Sequence, residues 1–532
     1  MTRDRGGNLV ASGRDRQGLG KSDLRQGRRR SRALGSDVLT GHSLDYPSRV
    51  DRSPKAGFTT LGHTGQVVDA VAREPGALWT SLGLPETALA RLALSGNEPV
   101  LPSSFAIGTA AQSSLGFAAL AATEIGRIRN GLVQSVAVDM HEAALECCGW
   151  FTLDGRTPVI WDPVAGLYPC GADGRDGWIR LHANFAHHRD GALRLLGLPP
   201  GPETKREAVA AALSGWTAAR FEEAAADAGL VVAALRTFAE WDQHPQAEAV
   251  ASLPLIESER IGEAPPLEWP TLAPEARPLE GLRVLDLTRI LAGPVAGRTL
   301  AGYGADVMLV NSPRLPNIEA IADTSRGKRS AFADLHESAD RQSFEAVLAQ
   351  AHVLLQAYRP GALDALGFGP GGTMRRRRGI VYASLSAYGR QGLWAERRGF
   401  DSLVQTATGF NAAEAEAAGS ATPRALPMQI LDMASGFLLA GGIETALLRQ
   451  RAEGGSWHVQ VSLARTASWL RSLGRIERGF AAPRADFDGV TIVQDSGFGR
   501  LAAVRHAARF SATPAQHVRR SVPPGTDRLA WD

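Results

Sequence analysis

Arg283-Val284-Leu285-Asp286-Leu287 is a short, mostly apolar run with the character of a buried strand. It leads into a turn at Ala292-Gly293, then Pro294 at a position that suits a first helical turn, and Gly302 as a stop; a second apolar run, Ala305 to Val310, begins at once. The stretch therefore reads as strand, helix, strand. The pattern recurs downstream as Ala331-Phe332-Ala333, a helix from Ser338 to Gln350, a strand from His352 to Leu355, and the run Ile380-Val381-Tyr382-Ala383-Ser384-Leu385. Strands alternating with helices predict an α/β fold, with a Rossmann-like, mostly parallel sheet covered by helices on both faces.

Upstream of this unit Pro265, Pro266, Pro270, Pro274 and Pro278 crowd together as a linker would. The expected organisation is a basic tail over residues 1–57, a first lobe over 58–272 and a second lobe over 273–532. The lobes read as related. With an offset of 323 residues, Ser114-Leu115-Gly116-Phe117 through Val136-Ala137-Val138-Asp139 overlies Phe437-Leu438-Leu439-Ala440 through Val459-Gln460-Val461-Ser462 without a gap. Each copy reads as a helix of small residues, a turn at Gly131 or Gly454, and a strand. A duplication predicts two related lobes in one chain, and it sets Thr109 opposite Asp432.

The length of 532 residues suits two or more cores, and 44% hydrophobic with 21% charged residues excludes collagen-like, coiled-coil and wholly disordered chains. The net charge of +3 is uneven: residues 1–35 hold ten Lys/Arg against three Asp/Glu, which leaves −4 for the remainder. That tail, with Arg28-Arg29-Arg30 among Gly, Ser and Gln, is expected to be disordered; a nucleic-acid arm and a transit peptide are the alternatives. No run approaches the roughly 18 apolar residues of a membrane span, so no membrane association and no nucleic-acid partner are expected. Three cysteines, Cys147, Cys148 and Cys170, offer neither a disulfide framework nor zinc-ligand spacing, which favours a cytoplasmic location. His182 and His187-His188 could suggest a metal, but they lack supporting carboxylates or thiols and are expected to be surface or packing residues; no metal is expected.

Four segments carry chemistry. Asp432 lies in Gln429-Ile430-Leu431-Asp432-Met433-Ala434-Ser435-Gly436, after Pro427 and at the start of a long apolar helix. An aspartate there serves as a cap or dipole partner, or as an ionised carboxylate beside glycines that let a ligand approach, able to act as nucleophile or base. Thr288-Arg289-Ile290-Leu291-Ala292-Gly293-Pro294 runs from a strand end to a helix N-terminus, where N–H groups favour a phosphate or carbonyl oxygen. Ser325-Arg326-Gly327-Lys328-Arg329-Ser330 places three cations in a glycine-containing loop, and suits phosphates or solvent equally. Tyr358-Arg359-Pro360-Gly361 follows a strand at the sheet's carboxyl edge, where ligands of open α/β sheets collect.

In this order, with Gly304-Ala305-Asp306-Val307, Gly399-Phe400-Asp401 and Gln405, these motifs resemble those of the family III coenzyme A transferases, the CaiB/BaiF family. The resemblance is strong from Leu282 to Trp469. It implies that Asp432 is the catalytic nucleophile, passing through a mixed anhydride and an aspartyl-CoA thioester. It also implies that Arg289, Ala292 and Gly293 line the CoA chain, that Arg326 and Lys328 meet its phosphates, and that Tyr358 and Arg359 flank its nucleotide end. The implied reactants are an acyl-CoA and a carboxylic acid acceptor, with coenzyme A as co-substrate. Family members form interlocked dimers, so a homodimer or an intramolecular pseudo-dimer is expected. Family racemases carry a histidine where Phe400 stands, and no histidine falls between His352 and His458, which argues against racemisation by that route. Asp401 is expected to be a structural carboxylate. The alternatives are a CoA-thioester racemase, isomerase or dehydratase using Asp432 as base, and a non-catalytic CoA-binding pseudoenzyme, the latter because the first lobe lacks the turn, the cationic loop and the aspartate.

Overall fold

The computed structural model describes residues 74–531; the basic tail expected over 1–57 lies outside the described residues. The first lobe opens with strand β1 (Leu92–Ser95), helix α1 (Ile107–Asn130), strand β2 (Val136–Asp139) and helix α2 (Met140–Cys147). Strand β3 (Phe151–Leu153) follows, then β4 (Gly166–Pro169), β5 (Trp178–Leu181), helix α3 (Ala186–Leu195), β6 (Val232–Ala234) and β7 (Glu257–Gly262). Strands β4, β5 and β6 form an antiparallel sheet over their own apolar cluster, which includes Phe221 and Leu193.

Beyond the prolines come β8 (Arg283–Asp286), α4 (Ala292–Gly302), β9 (Asp306–Asn311), β10 (Arg329–Phe332), β11 (Val353–Gln356), β12 (Val381–Ser386) and α5 (Asp401–Ala407). Next are α6 (Ile430–Glu453), β13 (Ser456–Ser462) and α7 (Leu463–Ser472); β14 (Thr491–Ser496), β15 (Gly499–Val504) and β16 (Arg509–Phe510) close the chain. The central sheet has seven strands in the order β10-β9-β8-β11-β12-β13-β7, all parallel except the β13–β7 edge. This is the doubly wound α/β architecture that the opening strand–helix–strand unit predicts. Strands β8, β9, β11 and β12 are apolar because helices cover both faces. Two short strands cross the proline linker. Strand β7, upstream of it, completes the central sheet, and β16, near the end of the chain, pairs with β2 of the first lobe.

The repeat is geometric as well as sequential. Helices α1 and α6 each span 24 residues, and the offset of 323 superposes them end to end, Ile107 on Ile430 and Asn130 on Glu453. Next, Val136–Asp139 falls on the last four residues of β13, and α2 falls on the first eight of α7. The caps coincide too. Asp139 accepts the N–H groups of His141 and Glu142, and Ser462 accepts that of Arg465, the residue equivalent to Glu142. Helices α1 and α6 pack against each other at the centre of the molecule, where glycine decides the approach: a Cβ at Gly441 would collide with the Phe117 ring of α1. Likewise Gly436 leaves room for Val295 and the Ala292 carbonyl of α4. By length and composition α6 could cross a membrane, which a count of unbroken apolar residues overlooks, but its apolar window is wholly buried in protein.

Candidate active site

The carboxyl ends of β8, β11 and β12 lie side by side, and the loops leaving them meet the first turn of α6 around a cavity of about 360 Å³. Arg289, Ala292, Gly293, Tyr358, Arg359 and Asp432 all line it. Six of the eight residues that the resemblance nominates are therefore gathered at one place, at the sheet edge where open α/β folds bind ligands.

The loop after β8 is built under constraint. Ile290 has φ 78°, in the left-handed region that a β-branched residue adopts only at a cost of about 1–3 kcal/mol. Gly293 sits so close to the strand that a Cβ would fall 2.5 Å from Thr288 Cγ2. A buried clamp holds this shape. Asp286 Oδ1 accepts the Thr288 N–H at 2.9 Å and its hydroxyl at 2.5 Å, and Oδ2 accepts from Lys328 Nζ at 2.8 Å. The same ammonium donates to the Pro294 carbonyl at 2.8 Å, inside the first turn of α4. Gly297 of α4 leaves space for the pair, since a Cβ there would strike the Asp286 carboxylate.

The expectation that Lys328 and Arg326 meet phosphates finds no support in this geometry. Lys328 and Asp286 are both fully buried, and Lys328 supports the turn from beneath without lining the cavity. Arg326 is 1% exposed; it pairs with Asp323 at 2.6 Å, donates to the Val504 carbonyl, and belongs to a buried cluster with Arg298, Glu146 and His506. A glycine-containing cationic loop reads as solvent-facing. Here two buried aspartates, Asp286 and Asp323, draw its cations inward.

Asp432 is 8% exposed, and its backbone N–H donates to Asp401 Oδ2 at 2.9 Å. Asp401 is completely buried, and its Oδ1 accepts from Gln405 Nε2 at 2.5 Å. Asp401 is thus the hydrogen-bonding carboxylate the sequence suggests, closing the first turn of α6. Burial pushes Asp401 up to about 7, against hydrogen bonds from Asp432, Gln405 and Leu431 and the attraction of Arg180. Burial also raises Asp432 well above the ordinary carboxylate range, and the neighbouring Asp401 raises it further. The helix-dipole argument expects an ionised Asp432. Desolvation and the like charge of Asp401 oppose the dipole and shift the carboxyl towards its protonated form.

Part of the cavity wall has no local signal in the sequence. Phe185, His187 and His188, at the start of α3 in the first lobe, line it together with Arg397, Arg398 and Phe400. The imidazole of His182 stacks on Phe400, with ring centroids 3.9 Å apart and planes 13° from parallel. His182, Phe185, His187 and His188 lie more than 200 positions from Asp432, and the fold alone unites them with it. Among the described residues no group of three or more His, Cys, Asp or Glu has the geometry of a metal site.

Residues 279–479 match CoA-transferase family III. The chain is 30% identical over 324 residues to an acyl-CoA transferase of Gibberella moniliformis, covering 58% of this chain and 56% of that protein. It is 35% identical over 217 residues to a probable fatty acyl-CoA transferase of Mycobacterium tuberculosis, covering 38% of this chain and 54% of the relative. A solved CaiB/BaiF family protein from Brucella suis aligns at 24% identity and a TM-score of 0.33, over 42% of this chain and 65% of that one. The chain thus spans little more than half the length of these two curated relatives.

Proposed function

We propose that the chain, whose residues 279–479 match CoA-transferase family III, is an acyl-CoA:carboxylate CoA-transferase with Asp432 as its nucleophile. One observation carries this reading: Asp432 lines the same cavity as the Ala292-Gly293 turn and the Tyr358-Arg359 loop. The names of the relatives, acyl-CoA and fatty acyl-CoA transferases, support the reaction class.

The cavity suits a CoA thioester. Arg289 and Arg359 have no carboxylate partner among the described residues, and Leu287, Ile290, Leu291 and Leu385 give the same space an apolar lining. In the proposed reaction an Asp432 oxygen attacks the thioester carbon, the C–S bond breaks, and a mixed anhydride and the CoA thiolate remain. The thiolate attacks the aspartyl carbonyl and releases the first acid as a carboxylate, leaving an aspartyl-CoA thioester. The acceptor carboxylate attacks that carbonyl and expels the thiolate. The thiolate then takes the acceptor's acyl group, and Asp432 is regenerated as a carboxylate. N–H groups at the start of α4, whose Ala292 and Gly293 line the same cavity, would serve a developing oxyanion. Only the anion of Asp432 is nucleophilic, so the shared proton of the Asp401–Asp432 pair must leave before attack, and kcat/KM rises with pH through the apparent pKa of the pair.

The packing of α1 against α6 supports an intramolecular pseudo-dimer, which predicts a monomer by light scattering. The reaction is tested by incubating the protein with mixed acyl-CoAs and free carboxylic acids and following the thioesters by mass spectrometry. New thioesters that require Asp432 support the reading, and CoA binding with no exchange across the panel overturns it.

A further inference from the structure

The reaction scheme leaves one wall of the cavity unused, the wall given by Phe185 and the start of α3. His188 is 5% exposed, and neither ring nitrogen has a hydrogen-bond partner. Burial, then His187, Arg398 and Arg289, hold its imidazole neutral down to about pH 3, so it carries one N–H donor and one bare acceptor at physiological pH. His187 is kept neutral in the same direction by burial and by the same two arginines. A buried polar group with no partner is costly, and such groups concentrate where a ligand supplies the missing bond.

The charges around these histidines are unbalanced. Arg289 donates to the Pro316 carbonyl and lies over the Phe185 ring at 5.6 Å, leaving its Nε buried without a partner. Arg398 donates to the Gly229 carbonyl at 3.2 Å. Neither has a carboxylate partner among the described residues, whereas the adjacent Arg397 lies 3.6 Å from Glu222. Asp432 is the only acid lining the cavity among the described residues, and burial and Asp401 both disfavour its charged form. Guanidinium groups without a counter-charge beside the unsatisfied imidazole of His188 form an environment that favours an anion.

We propose that His187 and His188 of the first lobe, with Arg289 and Arg398 of the second, form a subsite for an anionic group of the substrate distinct from the reacting carbonyl. This deepens the transferase reading and rests on it. The anion is an oxyanion from one of two sources, a phosphate of CoA or a second carboxylate on the acyl chain. The first lobe then takes part in substrate selection, although the proposed nucleophile lies in the second.

The test uses unreactive thioethers and equilibrium binding, so it needs no turnover. S-butyl-CoA, S-(3-carboxypropyl)-CoA and S-butyl-pantetheine are titrated into the full chain and into Arg398→Gln and His188→Leu, with folding checked by circular dichroism. Arg398 is exposed, so Arg398→Gln keeps the test valid if His188→Leu fails to fold. If the anion is an acyl carboxylate, the variants weaken only S-(3-carboxypropyl)-CoA, by about tenfold, as the loss of one charge-assisted hydrogen bond implies. If it is a phosphate, both CoA thioethers weaken alike and S-butyl-pantetheine is unaffected. Equal losses for all three probes, or no loss for any, overturn the subsite. A failed transferase reading is visible separately, as the absence of thioester exchange.

Discussion

The first turns of α1 and α6 are built by one device and end in different chemistry. At α6 the buried Asp401 accepts the N–H of Asp432; at α1 Glu98, likewise pushed upward by burial, accepts the N–H of Thr109 at 2.8 Å. Thr109 and Asp432 are equivalent residues under the 323-residue offset, so in each copy a carboxylate closes the same turn of a 24-residue helix. The surroundings differ. At α6 the turn faces the cavity, whereas at α1 Gly108 packs against Val100, Met140 and Glu98 so tightly that no Cβ would fit. The capping carboxylate is therefore shared scaffold, and the two copies differ in the residue whose N–H it accepts and in the cavity before that residue.

The sharpest way to break this comparison is to exchange the distinguishing residue. Asp432→Asn should lower CoA transfer by more than about 1,000-fold in steady-state assays with the fold intact, as expected for loss of a covalent nucleophile. Thr109→Val should leave turnover unchanged. Substantial loss in the threonine variant would mean that the first-lobe turn is a working site.

A smaller effect tests the clamp. Lys328→Met leaves Asp286 buried without its cation and should cost about 3–5 kcal/mol in urea unfolding. The double variant Asp286→Asn, Lys328→Met should recover part of that loss. A phosphate ligand would behave oppositely, with CoA affinity falling while stability holds. Smaller again, Gly441→Ala forces a methyl into the Phe117 ring and should cost about 1–3 kcal/mol, a loss relieved by Phe117→Leu.

The pH dependence gives the most modest effect. Because the Asp401 carboxyl is raised to about 7 in the fold, protonation favours the native state. Its contribution is complete below the ordinary carboxylate range near pH 4 and is lost as pH rises towards 7. Asp401→Asn should flatten the decline in stability over that interval. It should also move the rising limb of the activity profile to lower pH, because the like charge that raises Asp432 is gone.

The legible parts were those with local patterns. The strand–helix–strand unit from Arg283 lies within two residues of its expected bounds, the helix starting already at Ala292, and the Ala292-Gly293 segment, the Tyr358-Arg359 loop and the helix opening at Asp432 all reach the cavity. Each is specified by neighbours in sequence: a run of apolar residues, a small-residue turn, a strand end. Strand β7, Glu257–Gly262, escapes because an edge strand that is half exposed carries no apolar run. Lys328 and Arg326 mislead because burial decides their role: Lys328 meets Asp286 from a strand 42 residues away, and Arg326 is covered by distant chain although its partner Asp323 is close in sequence. His188 packs while His187 stays exposed, and both line a cavity to which the two lobes contribute residues far apart in sequence.

The account turns on whether Asp432 becomes acylated. Incubating the protein with an acyl-CoA, quenching with hydroxylamine and sequencing peptides by mass spectrometry measures this directly. The account predicts a hydroxamate at Asp432 that depends on the thioester and is absent from Asp432→Asn. An unmodified Asp432 in protein that is exchanging acyl groups would contradict it.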